Sequence, residues 1–511
     1  MEHNSGKIIA KNTVFLYFRM LLTMGVALYT SRIVLEVLGA SDYGLYNVVG
    51  GVVTMLGFIN SSMGAGTSRF ITYELGRGNK KRLSEVFNVA LVSHIIIALI
   101  IFILAETIGL WFVNTQMVFP GARTLAVNVV YQASVFTAML QFTQIPYSAD
   151  IIAHEQMAVY AYVSIFEVGL KLAAVLLLKY ISTSDALITY AILLFVVQVV
   201  VILTYRVYCS RKYIESKWHF VKDTRTYREI FTFSGWDVIG GLCSVTQGQG
   251  MNIILNMFFG PIVNAARAIS YQVQGAFQQF TDNFMTAVNP EIVKSYARED
   301  YQPMVKLINA SSLYSYYLLL LLVMPVMFKL KVLLDVWLKN VPNHTVDFTL
   351  IILGCMMIRA IARPVVMAVH ATGDIKYLNL ISGSIGLLPL PIAVVGLHLG
   401  ANALFVFWIL FVFSIIGNIT EFLILKHNLP EFSIKKHLTF VYLRVFIITI
   451  ITSSVVYLIS LYFKNTFLSF CMYYPVSLIL SGLIIFYLGL SKDLRTKIIR
   501  IVRNKLCKKL P

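Results

Sequence analysis

Moved 221 places along itself, this chain falls on its own sequence without a gap. Ile33 meets Ile254, Gly39 meets Gly260, Arg77 meets Arg298 and Asn88 meets Asn309. Further along, Pro146 meets Pro364 and Ala153 meets Ala371 at a shift of 218. A chain written twice folds as two copies of one unit. If each copy crosses a membrane an even number of times, both copies face the same way, as in carriers that open and close around a central site.

Composition says that the copies are membrane-embedded. The 511 residues are 58% hydrophobic and only 13% charged, against about 25% charged in a soluble domain. Apolar runs of about 20 residues, enough to cross a ~30 Å hydrocarbon core, recur near 12–36, 43–68, 85–112, 122–148, 157–180, 186–208, 229–258, 262–289, 305–330, 347–371, 377–397, 400–425, 438–462 and 468–490. The expected fold is all-α and polytopic, with about fourteen transmembrane helices. Residues 1–208 form an N-terminal six-helix lobe, 209–228 a cytoplasmic linker and 229–425 a C-terminal six-helix lobe. Helices 13 and 14 follow in 426–490 without a partner in the repeat, and 491–511 is a basic tail. The first apolar run is too long for a cleaved signal and lacks a small-residue processing site.

The net charge of +18 marks topology rather than nucleic-acid binding. With the N-terminus inside, about 26 basic residues fall on inner segments, including Lys7, Lys11, Arg77 to Arg82, Arg211 to Arg228 and the tail from Lys492. The opposite side has Lys331, Lys339 and Lys464. This is the positive-inside pattern, and it places both termini in the cytoplasm. The linker, charged and aromatic, reads as amphipathic, and the tail carries Leu494, Ile498, Ile501, Val502 and Leu506 near one helical face among basic residues, which suits an interfacial helix on anionic lipid or a plain solvated basic tail. The cysteines at 209, 243, 355, 471 and 507 are scattered and read as apolar fillers.

Outer loops are short, the longest near 331–346, which leaves no room for an external catalytic domain. The sequence shows no metal-spaced His/Cys/Asp/Glu set, no phosphate loop and no nucleophile triad. The expectation is a non-enzyme without cofactor or metal.

Polar residues at bilayer depth cost about 2.5–3.5 kcal/mol each when charged, so they face a cavity or a partner. Arg19, Arg32 and Glu36 lie on the first span, and Arg69 closes the second. The seventh carries Asp237, Gln247, Gln249, Asn252 and Asn256. The eighth carries Asn264, Arg267, Gln272, Gln274, Gln278, Gln279, Asp282 and Asn283. Arg267, Gln274, Gln278 and Asp282, spaced by 7, 4 and 4, share one helical face and read as a wet stripe along a cavity. Interhelical hydrogen bonding accounts for one or two such residues rather than for the whole set. Asp237 is a candidate for a gate or for ion coupling, and Arg19 for its partner across the cleft or for an anionic substrate. Arg32 and Glu36 read as an ion pair, and Glu167 and Lys171 as a buried neutralising pair. Arg359 and Arg363, one turn apart before Pro364, are open between scaffold and phosphate binding.

The block from Thr30 to Arg82, its copy from Gly250 to Arg298, and PVVMAVHATGDIK from Pro364 to Lys376 resemble the polysaccharide transporter branch of the multidrug/oligosaccharidyl-lipid/polysaccharide exporter superfamily. The resemblance covers nearly the whole chain. It implies a V-shaped pair of lobes, with spans 1, 2, 7 and 8 lining the cleft, in a bacterial inner membrane. It also implies a flippase that turns an undecaprenyl-diphosphate-linked oligosaccharide to the periplasmic leaflet for O-antigen, lipopolysaccharide or capsule assembly, with other assembly proteins as partners. A diphosphate suits cleft arginines, by position Arg19 and Arg267, then Arg32 and Arg69. Spans 13 and 14 are then a groove for the lipid tail. A multidrug/cation antiporter would favour acidic and aromatic cleft residues, and a glycan polymerase or ligase would need larger outer loops.

Overall fold

The computed structural model describes residues 2–56, 78–154, 156–180, 185–338 and 340–491, with isolated positions 64, 67, 70, 71, 74, 75, 495 and 496. Side chains are described from residue 22 onward, except at 54, 56, 157, 158, 229–241, 244, 286, 287, 290, 294 and 297. Among these residues all regular structure is helical. The helices are α1 (Glu2–Leu56), α2 (Lys80–Gln116), α3 (Thr124–Ala153), α4 (Met157–Tyr180), α5 (Ala186–Lys212), α6 (Thr224–Phe259) and α7 (Pro261–Ala297). After them come α8 (Tyr301–Phe328), α9 (Thr345–Thr372), α10 (Leu378–His398), α11 (Ala403–Asn428), α12 (Ile434–Tyr462) and α13 (Phe467–Gly489).

Among the described residues eleven of these are long and apolar enough to cross a membrane. α6 and α7 have 36 and 37 residues, about 54 Å of helix, and are the two that the sequence singles out as polar. The expected crossing at 43–68 begins in α1 and continues outside the described residues. Large apolar side chains on α2, α5, α12 and α13 stand exposed, among them Ile108, Leu203, Phe446 and Met472, as lipid-facing surfaces require.

The repeat has a backbone signature. Gly39 interrupts α1 with φ +74° and ψ 169°, and Gly260 separates α6 from α7 with φ +74° and ψ −175°. This region of φ/ψ space is essentially closed to residues with a Cβ. The gap-free shift of 221 thus pairs two glycines that turn the chain in the same way. The separate spans expected at 12–36 and 43–68 meet here, α1 being two helices joined across the kink at Gly39, the second followed as far as Leu56.

Two compact units account for the chain: residues 1–268 with 386–406, and residues 269–385 with 407–511. In the first, α1 packs on α3, α4 and α6, and α3 packs on both α2 and α5. Its core holds Val48, Val127, Val130, Tyr131 and Leu187. α2 makes one wide turn over Ala105–Gly109, and the Tyr131 hydroxyl donates to the Ala105 carbonyl at 2.8 Å, meeting a backbone group that such a turn leaves open.

In the second unit α8 packs on α9, α12 and α13, around Met304, Ile308, Ala362, Val365, Phe422 and Leu425. Tyr473 on α13 donates to the Pro325 carbonyl at 3.1 Å. Lys329 donates to the Phe463 carbonyl and to Asn465 Oδ1 between α12 and α13, at 2.9 and 2.6 Å. The last two helices are thereby fastened into this unit.

Candidate functional site

The polar residues of α6 and α7 divide into two sets. Near Gly260 they are dry: Asn252 is 3% exposed, and Asn256 and Asn264 are 0%. Asn264 Nδ2 donates to the Asn252 carbonyl and side-chain oxygens at 2.6 and 2.8 Å. Asn252 Nδ2 donates to the Asn47 carbonyl at 3.4 Å, and Asn256 Oδ1 accepts from the Val118 amide at 3.0 Å. These amides join α1, α6, α7 and the chain after α2 by interhelical hydrogen bonding. Helical spacing tells which residues share a face but not what covers it.

The same region holds Arg267, 8% exposed, whose Nη2 donates to the Gly248 carbonyl of α6 at 2.7 Å. Gln247 is half-buried beside Gly386. Arg32 and Glu36 are half-buried on α1. α1 and α7 cross where Gly44 lies against the Pro261 carbonyl and the Ala265 backbone, with no room for a side chain. Gly44 and Ala265 are themselves 221 places apart, so equivalent points of the two copies meet there.

In the second unit the far part of α7 is more open. Gln274 and Gln278 are half-buried. Gln278 Nε2 donates to Asp282 Oδ1 at 3.2 Å, and Asp282 also accepts from Arg363 of α9 in an ion pair with 46% and 38% of the two side chains exposed. Arg359, one turn away, pairs with Glu421 of α11 at 2.8 Å and donates to Asn418 Oδ1 at 3.0 Å. Both arginines left open by the sequence therefore have acidic partners. Lys171 and Glu167 do pair, at 2.6 Å, but with the lysine 46% exposed rather than buried. Arg19, Arg69 and Asp237 lie outside the residues whose side chains are described.

Sequence reasoning missed the latches at the two ends of the first unit. At one end Arg123 bonds to Asp42 and to Asp185, the latter at 2.7 Å, and Asp185 caps α5 by accepting from the Leu187 and Ile188 amides at 3.0 and 3.2 Å. Burial alone would raise the Asp185 carboxyl, but Arg123 and the two amides outweigh it and hold it below the ordinary 3.8. At the other end Arg82 pairs with Asp223 at 2.6 Å. With the Thr226 hydroxyl, it holds that carboxyl well below the usual range.

Also at this end, buried Asn88 donates to the Glu215 and Lys217 carbonyls at 3.3 and 3.2 Å and accepts from the His219 amide at 3.0 Å. Its Nδ2 lies 3.0 Å from His219 Nδ1. The linker is thereby pinned by its buried side, while Ile214, Trp218 and Phe220 are exposed, which is the amphipathic pattern expected of it. The second copy repeats the device: Asn309 Oδ1 lies 2.6 Å from His437 Nδ1. Asn88 and Asn309 are 221 apart, and His219 and His437 are 218 apart. Those two shifts, already present in the sequence, were the signal that could have found it.

The sequence profile of the polysaccharide biosynthesis protein family matches residues 9–296. No curated protein matches the chain. Among solved structures, the fold is similar to the lipid II flippase MurJ in an inward closed conformation, with TM-score 0.72 and 11% identity over 93% of this chain and 98% of that one. It is also similar to an inward-facing multidrug resistance MATE family transporter of the MOP superfamily, with TM-score 0.69 and 12% identity over 80% and 95%. A MOP superfamily transporter from Pyrococcus furiosus Vc1 gives TM-score 0.58 and 14% identity over 82% and 96%. The fold is thus that of the MOP-superfamily transporters, and with more than half of its length matched the chain belongs to the polysaccharide biosynthesis protein family.

Proposed function

We propose that the protein is a flippase that moves an undecaprenyl-diphosphate-linked oligosaccharide from the cytoplasmic to the periplasmic leaflet by alternating access, for assembly of an O-antigen- or capsule-like surface polysaccharide. The observation that carries this reading is the family match combined with the extent of the fold likeness. The flippase MurJ shares 93% of this chain and the MATE transporter 80%, a difference about as long as α12 and α13 together. Two helices beyond the twelve of the duplicated pair suit a cargo with a long lipid tail.

In this reading Arg19, Arg32, Arg69 and Arg267 attract the diphosphate, since guanidinium groups form charge-assisted bonds to phosphate oxygens. Gln247, Gln274, Gln278 and Asp282 offer amide and carboxylate groups to sugar hydroxyls. Asp237 is the candidate for a gate or a coupling ion. The protein is placed in the bacterial inner membrane with both termini in the cytoplasm. An inside-negative potential assists outward movement of an anionic cargo by about 2.3 kcal/mol per charge per 100 mV.

The test is export of lipid-linked glycan in cells lacking this protein, complemented with wild type, Arg267→Ala or Gln278→Ala. Expected is cytoplasmic-side accumulation of the undecaprenyl-linked oligosaccharide, relieved by wild type and poorly by either variant. Normal surface glycan in the deleted strain, with no second flippase present, overturns the reading. A multidrug/cation antiporter is the alternative, and resistance to cationic dyes on expression would mark it.

A further inference from the structure

One cluster in the first unit stands apart from all the polar groups assigned above. Asp150, in the last turn of α3, is 0% exposed, and neither of its carboxylate oxygens has a hydrogen-bond partner among the described residues. His154 follows one turn later as the cap of that helix. Its Nδ1 lies 3.2 Å from the Asp150 backbone carbonyl. A carbonyl can only accept, so in the neutral ring Nδ1 carries the proton and Nε2 is the bare nitrogen. That bare nitrogen faces Glu215 Oε1 of the linker at 3.2 Å. The same oxygen is buried without a hydrogen bond.

Two lone pairs set against each other, beside a dry carboxylate, call for a cation. Among the described residues no lysine or arginine pairs with either acid. A proton on Nε2 would settle the contact with Glu215, but Nδ1 lies 3.6 Å from Asp150 Oδ1, beyond hydrogen-bond distance, so the buried carboxylate would still lack a bond. A divalent ion answers all three groups. Their ligand atoms lie within 4.8 Å of one another, wider than the ~3.4 Å that ligands at ~2.1 Å take up around a tetrahedral ion, so binding would draw them inward. One imidazole nitrogen with two carboxylates is a donor set for Zn²⁺ and its first-row neighbours. Tyr213 packs against the His154 ring, tilted by 33° with the centroids 4.1 Å apart, and holds its orientation.

The repeat shows that the scaffold does not need these charges. At the shift of 218, Asp150, His154 and Glu215 correspond to Ala368, Thr372 and Ser433. At these three places the second copy has neither a carboxylate nor an imidazole. We propose that Asp150, His154 and Glu215 form a divalent-cation site, suited to Zn²⁺, that fastens the linker to the end of α3. Glu215 lies sixty-one residues beyond His154, so no local spacing announces the site.

The test uses the full chain, purified in detergent with a histidine-free tag, stripped with chelator and titrated with Zn²⁺. Expected is one ion per chain, with affinity at least tenfold weaker in Glu215→Gln and in His154→Ala. Saturating Zn²⁺ raises the melting temperature of wild type by several degrees and leaves that of either variant in place. These two residues are chosen because their side chains keep some exposure, 22% and 11%, which leaves the fully buried Asp150 undisturbed. Zn²⁺ binding equal in wild type and in the double variant overturns the proposal. So does a melting temperature that responds to pH through His154 but not to Zn²⁺, which would make the cation a proton.

Discussion

Asp282 of α7 and Arg363 of α9 hold each other as an ion pair, with Gln278 as a second donor to the acid. Both side chains are more than a third exposed, and pairs of that kind contribute about 0–1 kcal/mol. Arg363→Gln and Asp282→Asn should therefore each change the melting temperature of the purified protein by no more than a few degrees. A flux defect of tenfold or more against this flat stability background would assign the pair to transport. Parallel losses of folded protein and flux would make it scaffold.

Gly39→Ala and Gly260→Ala should each destabilise by about 1–3 kcal/mol, because both residues occupy backbone conformations that a Cβ strains. The two effects should be similar in size, as the conformations are. Gly25→Ala is the control, at an exposed place on α1 with open space around it, and should be neutral or slightly stabilising. Thermal melts of the three variants in one detergent decide the matter.

The two asparagine latches should differ in strength. Asn88 is fully buried with several bonds, and Asn88→Ala strands the linker amide and carbonyls for a loss of about 1–3 kcal/mol. Asn309 is half-buried and bonds to His437, so Asn309→Ala should lose less, about 0.5–1.5 kcal/mol. Limited proteolysis at the linker should accelerate in the first variant and not in the second.

Acid should loosen the ends of the first unit. The Asp185 and Asp223 carboxyls are depressed in the folded state from an ordinary 3.8. Their contribution is complete above that ordinary value and fades as pH falls through the folded-state values. The stability difference between wild type and Asp223→Asn should thus be constant from pH 8 to about 5 and shrink below about 4. A difference that already changes between pH 8 and 6 would point to another group.

Much of this architecture was legible in the sequence because duplication leaves fixed shifts. Gly39 and Gly260 were paired by arithmetic before their backbone angles were seen, and the polarity of α6 and α7 marked them out from the other helices. What covers a polar face was not legible. Asn252, Asn256 and Asn264 carry side-chain amides like those of Gln274 and Gln278, yet they are dry because α1 and the chain after α2 lie against them. Likewise, the partner of Arg359 is sixty-two residues away in Glu421. Pairings at that separation follow from packing, which no local pattern encodes.

The bond between Asn309 and His437 changes how the end of the chain is understood. His219 precedes α6 after the first copy, and His437 opens α12 after the second. The final pair of helices therefore begins at the second copy's version of the joint that leads from the first copy into α6. α12 and α13 reach mean hydropathies of 2.2 and 1.8, where α6 and α7 stay polar. Helices that began as a joint have become a flank turned toward lipid.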